Sequence, residues 1–290
     1  MGYFFICCIV LNVFTIYYNM YKIFDLHNDY FLKLKNKKKL AYVFKKNTKN
    51  NIVSAIWTSE LNSYESMQIL SEAIKFVNLN EKLLLGVEDL HFINKENISD
   101  FLRLRPTYAG LTWNTSNSMA GGAFESGKLT SFGKEIIKQL EDNNIKIDTA
   151  HLNEESFLDV CRLSKKPIFC SHTAFYGVNA HPRNLKDYQL KMIVDSGGLV
   201  GLCLVSEFLN GTKKSTISDI TRHIDYFSCK FGIDNLAIGT DFYGTAHLPK
   251  HIRSYRCLAK RLSKELLKLG YTEKSINKIF YENAANFLLS

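Results

Sequence analysis

Eight short, β-rich apolar runs punctuate the chain from residue 23 onward, and most are separated by segments of helical periodicity. The runs are IFDLH (23–27), NIVSAIWT (51–58), KLLLGVE (82–88), YAGLTWN (108–114), IKIDTAH (145–151), PIFCSH (167–172), LVGLCLV (199–205) and LAIGTDF (236–242). They do not alternate strictly between apolar and polar residues, as expected of strands covered on both faces. Between them, SFGKEIIKQLEDNN (131–144) sets Phe132, Ile136, Ile137 and Leu140 at helical spacing, with Ser131 as its expected N-cap. DYQLKMIVDSGG (187–198) and SDITRHIDYFSCKFG (218–232) end on glycine, which readily takes the left-handed conformation that stops a helix, and two more helices fill 252–288. Repeated βα units pack as a parallel sheet under helices. A doubly wound open sheet usually carries a glycine-rich nucleotide loop after its first strand. Here that strand runs into His27, Asn28 and Asp29 instead. The expected fold is therefore α/β, a single TIM-like (β/α)₈ barrel over residues 20–290, with exposed loops at 30–50 and 115–130.

The net charge of +9 raises the question of a nucleic-acid partner. Only 8 of the 37 basic residues are Arg, and the densest run, Lys33 to Lys39, sits in one early loop. No basic helix interleaves with stacking aromatics and no zinc-finger or basic-zipper spacing occurs, so no nucleic-acid partner is expected. The 7 cysteines include no C-x-x-C pair, and several fall in apolar runs where a thiol behaves as a small hydrophobe. That pattern suits a reducing compartment and predicts a cytoplasmic protein. Residues 1–19 run against it, since the chain is uncharged from Met1 to Tyr21 and FFICCIVLNVFTIYY has the composition of a signal or anchor. A basic n-region and a small-residue cleavage site are both missing. Two readings follow: Met20 is the true start, or the segment is retained and anchors the chain to a membrane.

In a barrel of this kind the chemistry collects at the carboxyl ends of the strands. Those ends carry His27 and Asp29, Trp57, Glu88, Trp113 and Asn114, His151, His172, and Asp241. Five of the eight therefore bear a histidine or an acid, where packing alone disfavours ionisable groups. A lone histidine at a strand end is ordinarily structural, Asp89 beside Glu88 leaves one of that pair as a loop acid, and Asp241 could cap a helix. The single explanation covering them together is metal binding. Imidazole and carboxylate suit Zn²⁺ and related divalent ions. Three imidazoles and two carboxylates exceed one tetrahedral site but suffice for two ions if a carboxylate bridges them.

Several of these segments resemble the renal (membrane) dipeptidase family of zinc peptidases, over about residues 22–288. FDLHNDY resembles the family's opening H-x-D segment, GVEDL its bridging glutamate, and LTSFGKEIIKQLEDNNIKIDTAH the helix and strand that end on a ligand histidine. PIFCSHTAF resembles the stretch with the last ligand histidine, HPRNLKD the substrate-binding arginine segment, and GIDNLAIGTDFYG the final strand. The resemblance implies one zinc on His27, Asp29 and Glu88 and a second on Glu88, His151 and His172. It further implies that Arg183 grips the substrate's terminal carboxylate and that Asp241 assists proton transfer, with His181 an ordinary loop residue.

The sequence also departs from that pattern. Better-known members carry a histidine in the fourth-strand motif, where this chain has Trp113. Indole donates one hydrogen bond but does not ionise, so Trp113 and Asn114 are expected to contact substrate, with Asn114 or Arg183 inheriting the electrophilic role. The segment before Glu88 looks short, and the family's disulfides and lipid-anchor signal are not apparent. The expected activity is zinc-dependent hydrolysis of small dipeptides. The alternatives are another amide or lactone hydrolase on the same dinuclear site, or a metal-binding barrel with little catalysis. A homodimer is compatible with the sequence.

Overall fold

The computed structural model describes residues 21–33 and 49–289; the apolar stretch 1–19 and most of the 30–50 loop lie outside the described residues. Eight parallel strands pair in chain order and close on themselves: β1 (Phe24–Asn28), β2 (Asn51–Trp57), β3 (Leu83–Glu88), β4 (Tyr108–Gly110), β5 (Lys146–Asp148), β6 (Phe169–Thr173), β7 (Leu199–Leu202) and β8 (Leu236–Ile238). The protein is a TIM-like (β/α)₈ barrel. Its outer layer runs α1 (Ser63–Val77), α2 (Ile98–Leu104), α3 (Ser131–Asp142), α4 (Glu154–Leu163), α5 (Asp187–Asp195), α6 (Ser206–Asn210), α7 (Ile217–Phe231), α8 (Tyr255–Lys268) and α9 (Glu273–Asn277). A π-helical turn, Lys278–Glu282, leads into α10 (Asn283–Leu288). No helix among the described residues is long and apolar enough to cross a membrane.

The helices start where short polar side chains can bond the free backbone N–H groups of a first turn. Asn62 and Glu65 form a capping box at α1, and Asn153 and Ser254 cap α4 and α8. At α3 the cap is Thr130, whose side chain accepts from the Gly133 N–H; Ser131, expected in that role, is the first helical residue. Gly197 and Gly232 take positive φ after α5 and α7, as their position predicts.

Two apolar layers follow from the strand pattern. One lies between strands and helices, with Ile52, Ile56, Leu85, Val87, Val200 and Ile238 facing Leu70, Ile136, Phe157, Ile224 and Leu262. The other fills the barrel itself: Phe24, Leu26, Val53, Tyr108, Phe169, Leu199 and Ala237. α10 closes its bottom, where Phe287 stacks on Phe169 at 5.5 Å and Tyr281 lies 5.8 Å from Phe24.

Two strands break the regular alternation, and both breaks serve the top of the barrel. β1 has an extra residue against β2 between Asp25 and Asn28, and β6 one against β7 between Cys170 and Thr173. With Leu26 and Phe169 inside, strict alternation would turn His27 and His172 outward. The bulges re-aim both rings into the barrel, 3.8 Å apart by centroid.

Candidate metal centre and active site

Several strands are shorter than their apolar runs suggest. β4, β5 and β8 stop at Gly110, Asp148 and Ile238, so Trp113, Asn114, His151 and Asp241 lie on the loops just above rather than at strand ends. His151 and Asp241 reach the barrel axis through left-handed backbone, φ 67° and 58°. Such conformations cost a non-glycine residue roughly 1–3 kcal/mol and gather at functional sites. Asp241 is set beside Asp29 by two backbone bonds, Asp241 N–H to His27 O at 3.0 Å and Asp29 N–H to Phe242 O at 2.9 Å.

The three histidines are held alike. His27 Nδ1 meets the Tyr108 hydroxyl at 2.8 Å, His151 Nδ1 meets Asn114 Oδ1 at 2.9 Å, and His172 Nδ1 meets Ser171 Oγ at 2.8 Å. Ser171 Oγ donates onward to Asp148, and so receives the proton of His172 Nδ1. Anchoring Nδ1 outward turns Nε2 toward the barrel axis, the orientation of a metal-ligating histidine. All three Nε2 atoms converge on Glu88. His151 Nε2 is 2.7 Å and His172 Nε2 3.7 Å from Glu88 Oε1, while His27 Nε2 is 4.0 Å from Glu88 Oε2 and 3.7 Å from Asp29 Oδ2. Nε2 of His27 is buried with no hydrogen-bond partner.

Donor atoms within 4.8 Å of one another form two overlapping groups, His27 with Glu88 and His172, and His27 with Asp29 and Asp241. Asp241, expected to move protons, thus also stands among the potential ligands. Burial and the charge of Asp29 push the Asp241 carboxyl well above the usual carboxylate range. Burial opposes a charge on His27, yet Asp29, Glu88 and Asp241 together hold its pKa up at about 10. A buried cluster of imidazole and carboxylate donors suits divalent ions.

Above the cluster opens a cavity of about 470 Å³. Its β2–β4 side is aromatic, with Trp57, Trp113 and Phe124; its β6–β8 side carries His181, Arg183, Glu207, Phe208 and Thr245. Trp113 lies 5.2 Å from Trp57 and 5.9 Å from the His151 ring, a wall beside the histidine cluster. Asn114 lines the cavity, but its Oδ1 is occupied by His151. Arg183 is 4% exposed, with Nη2 3.1 Å from His172 Nε2 and Nε without a partner. Asp89 leaves the site: it accepts from Ser59, His91 and Asn117 and ties loops together.

The profile of the membrane dipeptidase family (peptidase family M19) matches residues 48–288. The chain belongs to that family. As a member of the membrane dipeptidase family it is a metallo-dipeptidase, a hydrolase of peptide bonds. It is 34% identical over 186 residues to an uncharacterized protein encoded in the pqqA 5′ region of Klebsiella pneumoniae, covering 60% of this chain and 68% of that protein. Among solved structures it resembles a metallo peptidase from Rhodobacter sphaeroides liganded with a phosphinate mimic of the dipeptide L-Ala-D-Ala, at 21% identity and a TM-score of 0.83 over 93% of this chain and 99% of that one. It also resembles an amidohydrolase from Pseudomonas aeruginosa, at 24% identity and a TM-score of 0.79 over 93% and 96% of the two chains. At these identities the structural likeness speaks for the fold.

Several residues around the site escape sequence reasoning. Tyr108 orients His27 across the barrel, and Gly86 makes that possible: a Cβ there would lie 2.4 Å from the Tyr108 ring. A Cβ on Gly244 would lie 2.2 Å from both Asp241 Oδ1 and Asp29 Oδ2, so the glycine lets the last loop close over the paired carboxylates without displacing them. Asp148 sits three residues before His151, a spacing that alone did not mark it as the support of His172.

Proposed function

We propose that the cluster holds two divalent ions, zinc by donor chemistry, and that the cavity above it hydrolyses small dipeptides. His27, Asp29 and Glu88 hold one ion, and Glu88, His151 and His172 the other. The observation that carries this reading is the shared orientation: three imidazoles with Nδ1 anchored outward and Nε2 turned toward Glu88, that of His27 also toward Asp29. When bound, the ions supply Lewis-acid activation of water and of the scissile carbonyl.

The remaining steps belong to side chains of this chain. Arg183 binds the substrate's terminal carboxylate. Once His172 Nε2 serves as a ligand, the buried guanidinium has donors free on one edge, which matches a carboxylate's two oxygens. Asp241, in the cavity lining beside Asp29, passes a proton from the attacking water to the departing amine. Asn114 acts by fixing His151, and Trp113 by shaping the wall against which a substrate side chain packs.

The test is turnover of free-acid and C-terminally amidated dipeptides by protein reconstituted with zinc. Free-acid dipeptides are expected to be cleaved, with amidation or Arg183→Lys sharply raising KM, because Lys lacks the fork. Equal turnover of both forms would remove Arg183 from this role. Zinc bound without turnover of any dipeptide would leave a metal-binding barrel.

A further inference from the structure

The β6–β8 wall of the cavity carries two opposite charges that are each incompletely satisfied. Arg183 Nε has no partner, and neither has Glu207 Oε2, although both atoms are buried. Among the described residues, no ion pair joins the two side chains. Glu207 is also firmly placed. Its Oε1 is bonded by His247 Nδ1, its backbone carbonyl accepts from Asn179 Nδ2 at 2.9 Å, and the preceding Ser206 N–H donates to His247 O at 2.8 Å. An ordinary surface glutamate satisfies both oxygens with water and needs no such tether. This one is clamped from the loops after β6 and β8; its side chain lines the cavity, and its Oε2 is buried without a partner. A carboxylate oxygen buried without a partner is costly until a donor reaches it.

Its neighbours indicate what that donor is. Phe208, next in sequence, lies with its ring 5.5 Å from the Arg183 guanidinium and 4.7 Å from the His181 ring. Arg183, Phe208 and Glu207 line the same cavity, so a ligand whose carboxylate sits on Arg183 has Phe208 and Glu207 within the wall beside its adjoining side chain. The far wall, by contrast, is aromatic. We propose that Glu207 is a specificity-determining residue that selects dipeptides whose C-terminal residue carries a basic side chain. The α-carboxylate pairs with Arg183, the aliphatic stem lies on Phe208, and the terminal cation pairs with the Glu207 carboxylate in a charge-assisted hydrogen bond. This selection rests on the dipeptidase reading and on Arg183 as the carboxylate site.

The experiment compares kcat/KM of the zinc-reconstituted full chain for Ala-Lys and Ala-norleucine, which share a four-carbon stem and differ in the terminal charge. Wild type is expected to favour Ala-Lys by about 10- to 100-fold, the range of one hydrogen bond to a charged group. In Glu207→Gln the ratio is expected to fall to near one. A wild-type ratio of one or less, or a large ratio that survives in Glu207→Gln, would overturn the proposal. Calorimetric binding of phosphinate analogues of the same two dipeptides separates the two readings. Tighter binding of the Lys analogue, lost in Glu207→Gln, with no turnover of either dipeptide, would sink the dipeptidase reading and keep the selection. Equal affinities would sink the selection.

Discussion

The two ends of the barrel are filled by opposite kinds of side chain. At the bottom, Phe24, Phe169, Tyr281 and Phe287 pack ring on ring beneath α10. At the top, Asp29, Glu88, His151, His172, Arg183 and Asp241 crowd one cavity. Left-handed backbone occurs at both ends but in different company. At the bottom it falls at Arg105 and Asn144, where helices stop; at the top it falls at Asp89, His151 and Asp241, above the strands. The bottom thus uses unusual backbone to turn the chain, and at the top it aims His151 and Asp241 at the axis while Asp89 ties loops together. Stability and function are separated along the barrel axis, as the fold allows.

The sharpest way to break this division is to exchange the losses. His172→Ala removes a proposed ligand at the top and is expected to lower turnover by at least about 10³-fold, beyond the roughly 10–100-fold typical of losing an outer partner. Urea unfolding should remain cooperative and close to wild type in the metal-free protein. Phe169→Ala opens a cavity at the bottom and should cost about 3–5 kcal/mol in urea unfolding, with kcat per folded molecule retained. If Phe169→Ala abolishes turnover in protein that is still folded, the two ends are coupled and the division fails.

His223 sharpens the contrast between structural and ligand histidines. It is buried on α7, accepts from the Phe175 N–H and reaches Leu209 O, far from any carboxylate cluster. Burial pushes its pKa down to about 4. The folded state therefore favours the neutral ring, so this contribution is complete above the unfolded value near 6.5 and is lost as pH falls toward 4. On this basis metal-free protein should lose about 2 kcal/mol between pH 7 and pH 5 through His223. Unfolding curves of His223→Gln should lack that component; an unchanged pH slope would show that the imidazole is not the titrating group.

Gly244→Ala probes close approach at the top. The added methyl must displace Asp29 or Asp241, and a loss of about 10- to 100-fold in turnover with weakened metal retention is expected. Wild-type behaviour would mean the last loop can shift without cost. The smallest expected effect belongs to Trp113→His. If Trp113 is a wall, the smaller ring admits bulkier dipeptides across a Gly, Ala, Leu and Phe panel and changes kcat only a few-fold. A missing oxyanion donor would instead predict a rise approaching 10²–10³ with side-chain preference unchanged.

Much of this architecture was legible before any coordinates. Eight buried strands announce themselves as eight apolar runs, because burial on both faces removes polar residues from them. The conjunction of His27, Asp29, Glu88, His151 and His172 at run ends was legible for the complementary reason, that ionisable groups there need a partner. The rest depends on distances that one-dimensional order hides. A bulge adds a residue without any required sequence mark, so the inward turn of His27 and His172 could not be read from alternation. Tyr108 reads as an ordinary strand aromatic until Gly86 opposite it is seen to make room for the ring. Glu207 reads as a helix-start acid, and its unpaired oxygen appears only when the loops after β6 and β8 are folded around it.

The central claim is that the top of the barrel is a two-ion site bridged by Glu88. Elemental analysis of zinc-reconstituted, dialysed protein tests it directly when carried out on wild type, His151→Ala and Glu88→Ala in parallel. The account predicts close to two equivalents of zinc in wild type, about one in His151→Ala, and loss of both in Glu88→Ala with the fold intact by circular dichroism. Wild-type protein that retains no zinc, or a Glu88→Ala variant that still retains two equivalents, would contradict it.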